Sequence, residues 1–190
     1  MKVAIIGSRA LPESYTEKVA GVVGRLLRRG HEVCHGGAMG ADHFVLQALL
    51  HLQAAQKGIL FSAWETVSGF PLAVRPDVEK YLAAGGRCVS SSGLCPKGYG
   101  GGTNLPHYLA RKALLQRNED MVNCADAVIA FLHGQSRGSG FTIKKACQKG
   151  LPVLVFLSGA TPLPQIPGGK WIALQNPCMG VVMHYFKKGA

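Results

Sequence analysis

Short apolar runs alternate with longer segments of helical periodicity along most of this 190-residue chain. The first run, Lys2–Ile6, is followed by Glu13–Arg29, where apolar residues recur at the three- and four-residue spacing of an amphipathic helix. Further runs occupy 32–35, 57–63, 87–91, 125–132, 151–157 and 170–174. Strands that alternate with helices form a parallel sheet with right-handed crossovers. The sequence therefore predicts a single α/β domain over residues 1–190. We expect a three-layer sandwich with a mostly parallel sheet of about six or seven strands and helices on both faces.

Two segments lack a regular period. Residues 93–105 are rich in glycine and predict either a substrate lid or a disordered connection, with Thr103 or Asn104 capping the helix that follows. The tail from Asn176 is expected to form an edge element or a short helix.

Three of the predicted strands end in glycine-containing turns. These turns are Gly7-Ser8-Arg9, Gly36-Gly37-Ala38-Met39-Gly40 and Gly138-Ser139-Gly140. The carboxyl ends of parallel strands meet at one edge of a sheet, where ligands of such sheets bind. We therefore expect a composite phosphate cradle, with Gly7, Gly37 and Ser139 converging on one cleft.

The stretch Ala125–Ala146 shows this pattern most clearly. An apolar strand ends at Leu132, a glycine-rich loop over 137–142 follows, and a helix is predicted from Ile143. The N–H groups and the positive dipole end of a helix N-terminus favour a phosphate, to which Ser139 and Thr142 would add hydroxyls and Arg137 a forked charge. The alternative is an ordinary tight turn with a serine cap.

The chain is strongly basic, with 21 Lys and Arg against 10 Asp and Glu and a formal net charge of +11. Such a charge indicates a polyanionic partner, a nucleic acid or a nucleotide, unless it serves solubility alone. The basic residues occur as scattered pairs, so any basic patch must be assembled by folding.

Other features exclude several classes of protein. Six cysteines without a Cys-x-x-Cys pair read as reduced core residues, and the histidines His35, His43 and His107 lack the spacing of a metal site. No cleavable leader is evident and no apolar run approaches the ~18 residues of a membrane span. We therefore expect a soluble, cytoplasmic protein with no metal and no cofactor.

Neither the Gly-x-Gly-x-x-Gly motif after the first strand nor the P-loop motif occurs. The ordered set of motifs is instead Ile6-Gly7-Ser8-Arg9, Gly36-Gly37-Ala38-Met39-Gly40-Ala41-Asp42, Arg117-Asn118 with Met121, and Gly138-Ser139-Gly140-Phe141-Thr142. This set resembles the Rossmann-like superfamily that contains the DprA/Smf DNA-processing proteins and the LOG phosphoribohydrolases. The resemblance spans about residues 3–157 and is closer to the DprA/Smf core.

The two branches imply different functions. The DprA branch implies a basic pocket for single-stranded DNA and a role in loading recombinase, with Arg9, Arg117 and Ser139 as phosphate contacts. The LOG branch implies cleavage of the N-glycosidic bond of nucleoside monophosphates by an Arg and a Glu. Lys145 stands where that family has its acid. The carboxylates expected near the rim are Asp42, Glu119 and Asp120, which helix capping or a solvated face also explains. Whether the protein is an enzyme stays open.

The sequence thus predicts a protein that binds nucleotide phosphates, either in single-stranded nucleic acid or in a small nucleotide. A homodimer is also expected. Tyr99 and Phe141 are candidates for base stacking, although Phe141 also suits the core. The candidate binding residues are Gly7, Ser8, Arg9, Gly36, Gly37, Met39, Gly40, Asp42, Arg117, Asn118, Arg137, Gly138, Ser139, Gly140 and Thr142.

Overall fold

The computed structural model describes residues 1–92, 107–174 and 182–189. Within them the strands are β1 (Lys2–Gly7), β2 (Glu32–His35), β3 (Gly58–Ser62), β4 (Arg87–Ser90), β5 (Ala127–His133), β6 (Val153–Ser158), β7 (Gly169–Ala173) and β8 (Met183–Lys188). The helices are α1 (Thr16–Arg28), α2 (Ala41–His51), α3 (Arg75–Ala83), α4 (His107–Cys124) and α5 (Arg137–Gln148). Short 3-10 turns occupy Glu13–Tyr15, Ala55–Lys57 and Val67–Gly69. The segment 93–105, with Tyr99 and the predicted capping residues Thr103 and Asn104, lies outside the described residues.

All described strands belong to one sheet with the order β4-β3-β2-β1-β5-β6-β8-β7. The first six strands in this order run parallel, and β8 is antiparallel to both β6 and β7. The predicted α/β fold with a mostly parallel sheet is confirmed, although the sheet has eight described strands. The tail contributes β8, which inserts between β6 and β7, so β7 and not the tail forms the edge.

The order of strands creates a switch point in the middle of the sheet. From β1 the chain builds outward through β2, β3 and β4, and then returns to place β5 on the other side of β1. Connections on the two sides of β1 and β5 therefore diverge, which leaves a crevice at the carboxyl ends of these two strands.

Helices cover both faces of the sheet, as the sequence predicts. Ile5 of β1 packs with α1, α2 and α3, whereas its neighbours Ala4 and Ile6 pack on the opposite face with α4 and α5. This alternation follows from the two-residue period of a strand. The strands at the centre are apolar on both faces because both faces are covered.

One predicted boundary is wrong. Residues 137–142 were expected to form a loop, but they are the first turns of α5, which begins at Arg137. The Ser136 side chain caps this helix by accepting a hydrogen bond from the Ser139 N–H. The actual turn contains Gly134, which has a φ of +59°. A strong N-cap outweighs the poor helix propensity of Gly138 and Gly140.

Gly7 sets the distance between the central elements. A Cβ at Gly7 would overlap the carbonyl oxygen of Phe131 and lie 2.6 Å from the Cβ of Ala41. The absence of a side chain thus lets the end of β1 approach both β5 and the start of α2. Gly24 in α1 offers a contrast, because a Cβ there would lie no closer than 3.4 Å to its neighbours.

We expect Gly7→Ala to lower the free energy of unfolding by about 1–3 kcal/mol, because two backbones must separate to admit the methyl group. Gly24→Ala should raise it by about 0.5–1 kcal/mol, because alanine restricts the unfolded chain and favours a helix. Urea unfolding of both variants measures the difference. Equal stabilities would contradict a close approach at Gly7.

Candidate functional site

A cleft of about 790 Å³ opens at the switch point, between the ends of β1 and β5. It is bordered by the β1 turn, the start of α2, one side of α4 and the N-terminus of α5. Ten of the predicted binding residues line it, namely Gly7, Ser8, Arg9, Asp42, Arg117, Asn118, Arg137, Gly138, Ser139 and Thr142. Four separate segments of the chain therefore meet at one site.

Ser8 fixes the turn that follows β1. Its N–H donates to the carbonyl oxygen of Phe131 at 2.9 Å, and its Oγ accepts from the His133 N–H at 2.9 Å. Its carbonyl oxygen accepts from the N–H groups of Leu11 and Ala41. Gly40, with a φ of +71°, lies against this same carbonyl. The buried Ser8 thus holds the turn in place, while the next residue, Arg9, is exposed at the cleft.

Arg117 forms a wall of the cleft from within the protein. Its side chain and that of Asp42 are only 7% and 10% exposed, and Arg117 Nη1 lies 3.6 Å from Asp42 Oδ2. The guanidinium occupies the space that a Cβ on Gly36 would need. Any other residue at position 36 would displace this group. Gly36 therefore serves the placement of Arg117.

Asp42 is buried with its charge partner. Burial raises the pKa of this carboxyl, and the Arg117 guanidinium and the backbone N–H groups of Gly36 and Ala38 oppose that rise. The Ala38 N–H donates to Asp42 Oδ2 at 3.4 Å. Because this carboxylate is held by Arg117 and by backbone donors, Asp42 is a structural anchor of the cleft wall.

His35 lies behind this wall and away from both cavities. It is fully buried, and burial followed by the charge of Arg117 lowers its pKa to about 3. Its ring makes an edge contact with Tyr81, with ring centroids 5.7 Å apart. The imidazole is therefore neutral at physiological pH and forms part of the core.

The N-terminus of α5 forms the opposite wall. Ser139 is buried and its Oγ lies 2.8 Å from the Oγ of the capping residue Ser136. Thr142 Oγ1 donates to the carbonyl oxygen of Gly138 at 3.0 Å. Both hydroxyls thus support the first turns of the helix.

Gly138 and Gly140 have no steric role in the fold. A Cβ at either position would meet nothing within 4 Å, and neither residue has a positive φ. Each glycine nevertheless costs about 1 kcal/mol relative to alanine inside a helix. Gly138, which lines the cleft, thus leaves the positive dipole end of α5 open to a ligand. Gly140 has no such role, because its N–H donates to the carbonyl oxygen of Ser136 at 2.9 Å.

The cleft is strongly basic. Its charged lining comprises Arg9, Arg111, Arg117 and Arg137 against the single carboxylate of Asp42 among the described residues. Glu119 lies instead between α4 and α5, where its Oε1 is 2.7 Å from Lys145 Nζ. Asp120 accepts a hydrogen bond from Gln116. Of the three carboxylates expected near the rim, only Asp42 lines the described part of the cleft, and it is paired with Arg117.

Sequence reasoning missed Arg111, His107 and His133, which also line the cleft. A signal for α4 was present in the spacing of the residues that face the cleft, which are His107, Arg111, Leu114, Asn118 and Met121. This three- and four-residue period puts them on one side of a helix. Because these residues include both polar and apolar types, the hydrophobic pattern of the sequence does not reveal that they share one face of α4.

A second, smaller cavity of about 150 Å³ lies on the other side of Arg117. Gly36, Gly37 and Met39 line this cavity and not the larger cleft. Gly37, with a φ of +62°, faces the rings and methyl groups of Phe70 and Leu60. The expected convergence therefore holds for Gly7 and Ser139 but not for Gly37. Gly40 and Gly140 border neither space.

The described residues contain neither a metal-binding cluster nor a membrane-spanning helix. No group of three or more His, Cys, Asp or Glu side chains there could hold a metal ion. Nor does any helix there have the length and apolar character needed to cross a membrane.

The switch-point cleft and the glycine-dependent β1 turn define a Rossmann-like α/β protein with a basic site at its strand ends. Comparison with known families identifies the family within this class. The family model for DNA recombination-mediator protein A matches residues 1–175, and the chain belongs to that family. No curated protein matches the chain in sequence.

Solved structures show the same fold. A DNA processing protein A from Helicobacter pylori, studied for its single-stranded DNA binding mode, is 21% identical with a TM-score of 0.63; the match covers 82% of this chain and 64% of that one. DNA processing protein A from Streptococcus pneumoniae is 23% identical with a TM-score of 0.59, and the match covers 80% and 48% of the two chains. The protein TM1055 is 22% identical with a TM-score of 0.51, and the match covers 80% of this chain and 71% of that one. The chain thus spans less than two thirds of both DNA processing proteins.

Removal of Arg117 should expose the cost of burying Asp42. We expect Arg117→Ala to lower the free energy of unfolding by about 3–5 kcal/mol at neutral pH, because an unpaired carboxylate stays buried. A second change, Asp42→Asn, should restore part of this loss. Thermal unfolding of the single and double variants measures both effects.

The pH dependence gives the control. Without Arg117 the pKa of Asp42 in the folded state rises further. A carboxyl with a raised pKa in the folded state stabilises the fold at low pH, where it is protonated, and this stabilisation is lost as the pH rises through that pKa. The deficit of Arg117→Ala should therefore shrink on acidification relative to the double variant. A double variant no more stable than Arg117→Ala at any pH would contradict this role of the pair.

Proposed function

We propose that this chain binds single-stranded DNA by its phosphates, in the cleft between β1, α4 and α5. The observation that carries the proposal is the convergence of Arg9, Arg111, Arg117 and Arg137 with the open N-terminus of α5. Guanidinium forks and helix N–H groups are both suited to phosphate oxygens. Membership of the DNA recombination-mediator protein A family and the fold shared with the Helicobacter pylori protein support the same ligand.

Within this proposal the residues have different roles. Arg9, Arg111 and Arg137 contact phosphates, and Arg117 provides a fixed charge behind them. Gly138 and Ser139 present the helix N-terminus, and Phe141, half-buried at the cleft, offers a surface for base stacking. Residues 1–190 act as one domain in this view, in the cytoplasm where such DNA is handled. A role as the DNA-binding core of a recombination mediator follows from the family.

The alternative of nucleoside monophosphate hydrolysis is not favoured. Glycosidic cleavage requires a carboxylate to stabilise or deliver charge at the anomeric carbon. In the described part of the cleft only Asp42 is available, and it is buried against Arg117. Lys145, at the position of the acid in the LOG proteins, is paired with Glu119.

Binding should depend on salt in proportion to the phosphates engaged. For single strands the logarithm of the association constant is expected to fall with log[salt] at a slope of about −0.7 per contact. Arg111→Ala and Arg137→Ala should each make the slope shallower by about that amount and weaken all sequences alike. Fluorescence anisotropy of a labelled oligonucleotide over a salt series measures the slopes.

Arg28→Ala is the matched control, because this exposed arginine ends α1 at the opposite edge of the sheet. It should leave the slope nearly unchanged. The protein could instead bind a mononucleotide tightly and oligonucleotides weakly, with the weak binding unaffected by Arg111→Ala and Arg137→Ala. That result would contradict DNA as the ligand and identify a small nucleotide in its place.

We also propose that the protein forms a homodimer through β7. Strand β7 pairs only with β8 among the described residues, so its outer backbone edge is available. Ile172 and Tyr185 face each other across β7 and β8, and with Leu174 they form an exposed apolar strip. Two copies of an edge strand related by a two-fold axis pair antiparallel and are self-complementary, which favours a second copy as the occupant.

Sedimentation should therefore give a dimer that Ile172→Lys converts to a monomer, because a charge would be buried in the apolar strip. The control is Leu72→Lys, at an exposed leucine before α3. A wild-type monomer at all concentrations, or an Ile172→Lys protein that stays dimeric, would contradict this interface.

A further inference from the structure

His133 is the last residue of β5 and lines the cleft. Its backbone N–H donates to Ser8 Oγ at 2.9 Å, which ties it to the β1 turn. Its ring Nδ1 lies 3.1 Å from the Oγ of Ser158, its neighbour on β6. Within the described residues the other ring nitrogen, Nε2, has no hydrogen-bond partner. The ring is thus held at one nitrogen and available to a ligand at the other.

Ser158 is itself fixed in place. It ends β6 and is buried, and its carbonyl oxygen accepts a hydrogen bond from Thr161 Oγ1. The same hydroxyl oxygen of Thr161 accepts from the Gly134 N–H at 2.8 Å. Gly134, with a φ of +59°, forms the turn before α5. The His133 ring and this turn therefore share one buried support, which sets the orientation of the ring.

The serine hydroxyl suits both charge states of the ring. A hydroxyl can donate a hydrogen bond or accept one. Ser158 can donate to Nδ1 of the neutral ring, which leaves the proton on Nε2, and it can accept from the Nδ1–H of the charged ring. Nε2 carries a donor in both states. The ring can therefore take up a proton without losing its partner or its orientation.

The histidines that end β2 and β5 differ in this respect. His35 is fully buried, and neither of its ring nitrogens has a hydrogen-bond partner in the described part of the chain. Burial and the charge of Arg117 lower its pKa to about 3. His133 is half-buried at an open cleft and has a partner that tolerates its charge. Histidine is the side chain whose charge commonly changes between pH 5 and 8.

The surroundings of His133 favour an anion beside its ring. The other charged or titratable groups of the described cleft lining are Arg9, Asp42, His107, Arg111, Arg117 and Arg137. Asp42 is paired with Arg117, and the groups bonded to His133 from β1 and β6 are neutral hydroxyls. A phosphate bound among the arginines brings a negative charge next to the ring and favours its charged form. Phosphate binding and proton uptake are then coupled.

We propose that His133 is a further phosphate contact in the cleft, which donates from Nε2 and takes up a proton from the solvent when single-stranded DNA binds. Ser158 acts as the positioning residue that holds the ring in both charge states. The inference rests on the proposed function and adds to the four arginines a contact whose strength depends on pH.

The test measures binding of a labelled thymine oligonucleotide by fluorescence anisotropy at pH 8 and pH 6, a range in which neither thymine nor the phosphodiester changes charge. The wild type should bind about fivefold more tightly at pH 6, because a hydrogen bond from a charged donor is stronger than one from a neutral donor. The salt slope should be steeper by up to about 0.7, the share of one phosphate contact. Titration calorimetry at pH 7 in two buffers of different ionisation enthalpy should show net proton uptake.

Two histidine variants assign the effect. His133→Gln keeps a hydrogen-bonding side chain that stays neutral, and it should abolish the pH dependence of the affinity and of the salt slope together with the proton uptake. His107→Gln is the matched control, because His107 is the other histidine of the described cleft lining, and it should retain all three. Any change in the charge of Asp42 is common to the wild type and His133→Gln, so the difference between these two proteins reports His133.

Ser158→Ala tests the positioning role. It should weaken binding more at pH 6 than at pH 8, because the charged ring loses the acceptor for its Nδ1–H. An equal loss at both pH values would contradict this role of the serine.

The outcomes separate this inference from the function on which it rests. Wild-type binding that does not change with pH, or a pH dependence that survives His133→Gln, would overturn the inference and leave phosphate binding by the arginines intact. A pH dependence lost in His107→Gln but kept in His133→Gln would overturn it in the same way. Failure of the oligonucleotide to bind at either pH would reject the proposed function itself.

Discussion

The buried contact of Arg117 with Gly36 and Asp42 is the constraint on which the functional edge of this protein depends. A guanidinium at 7% exposure requires a counter-charge, and the Asp42 carboxylate at the start of α2 provides it. The same group requires a residue without a side chain at the end of β2, which Gly36 provides. Elements from three parts of the chain are thereby fixed around one positive charge, and this charge lies between the cleft and the smaller cavity.

The glycines of the site fall into two physical classes. Gly7, Gly36, Gly37 and Gly40 are required because backbone or side-chain atoms occupy the place of their Cβ. Gly138 and Gly140 stand in open space inside a helix that would be more stable with alanine. The first class builds the scaffold, and in the second class Gly138, which lines the cleft, gives up some stability to keep the N-terminus of α5 accessible. A sacrifice of stability without a packing reason is typical of a binding surface.

Much of the fold could be predicted from the sequence because burial on both faces of a sheet imposes continuous apolar runs, as in β1, β5 and β6. The meeting of Gly7 and Ser139 at one cleft was predicted from the direction of the strands alone. The switch point depends on the order of the strands and was found only in the structure. The start of α5 could not be predicted in this way, because it depends on a single capping bond at Ser136. The position of Gly37 in the smaller cavity and the insertion of β8 between β6 and β7 could not be predicted either. A residue pattern along one segment does not reveal which other segment packs against it.

The four arginines of the cleft carry charges that do not titrate near neutral pH. Arginine stays protonated in proteins, and the buried neighbour His35 is held neutral with a pKa of about 3. Burial of His35 thus avoids a second positive charge beside Arg117. The positive charge of these arginines at the strand ends is therefore a permanent property of the fold.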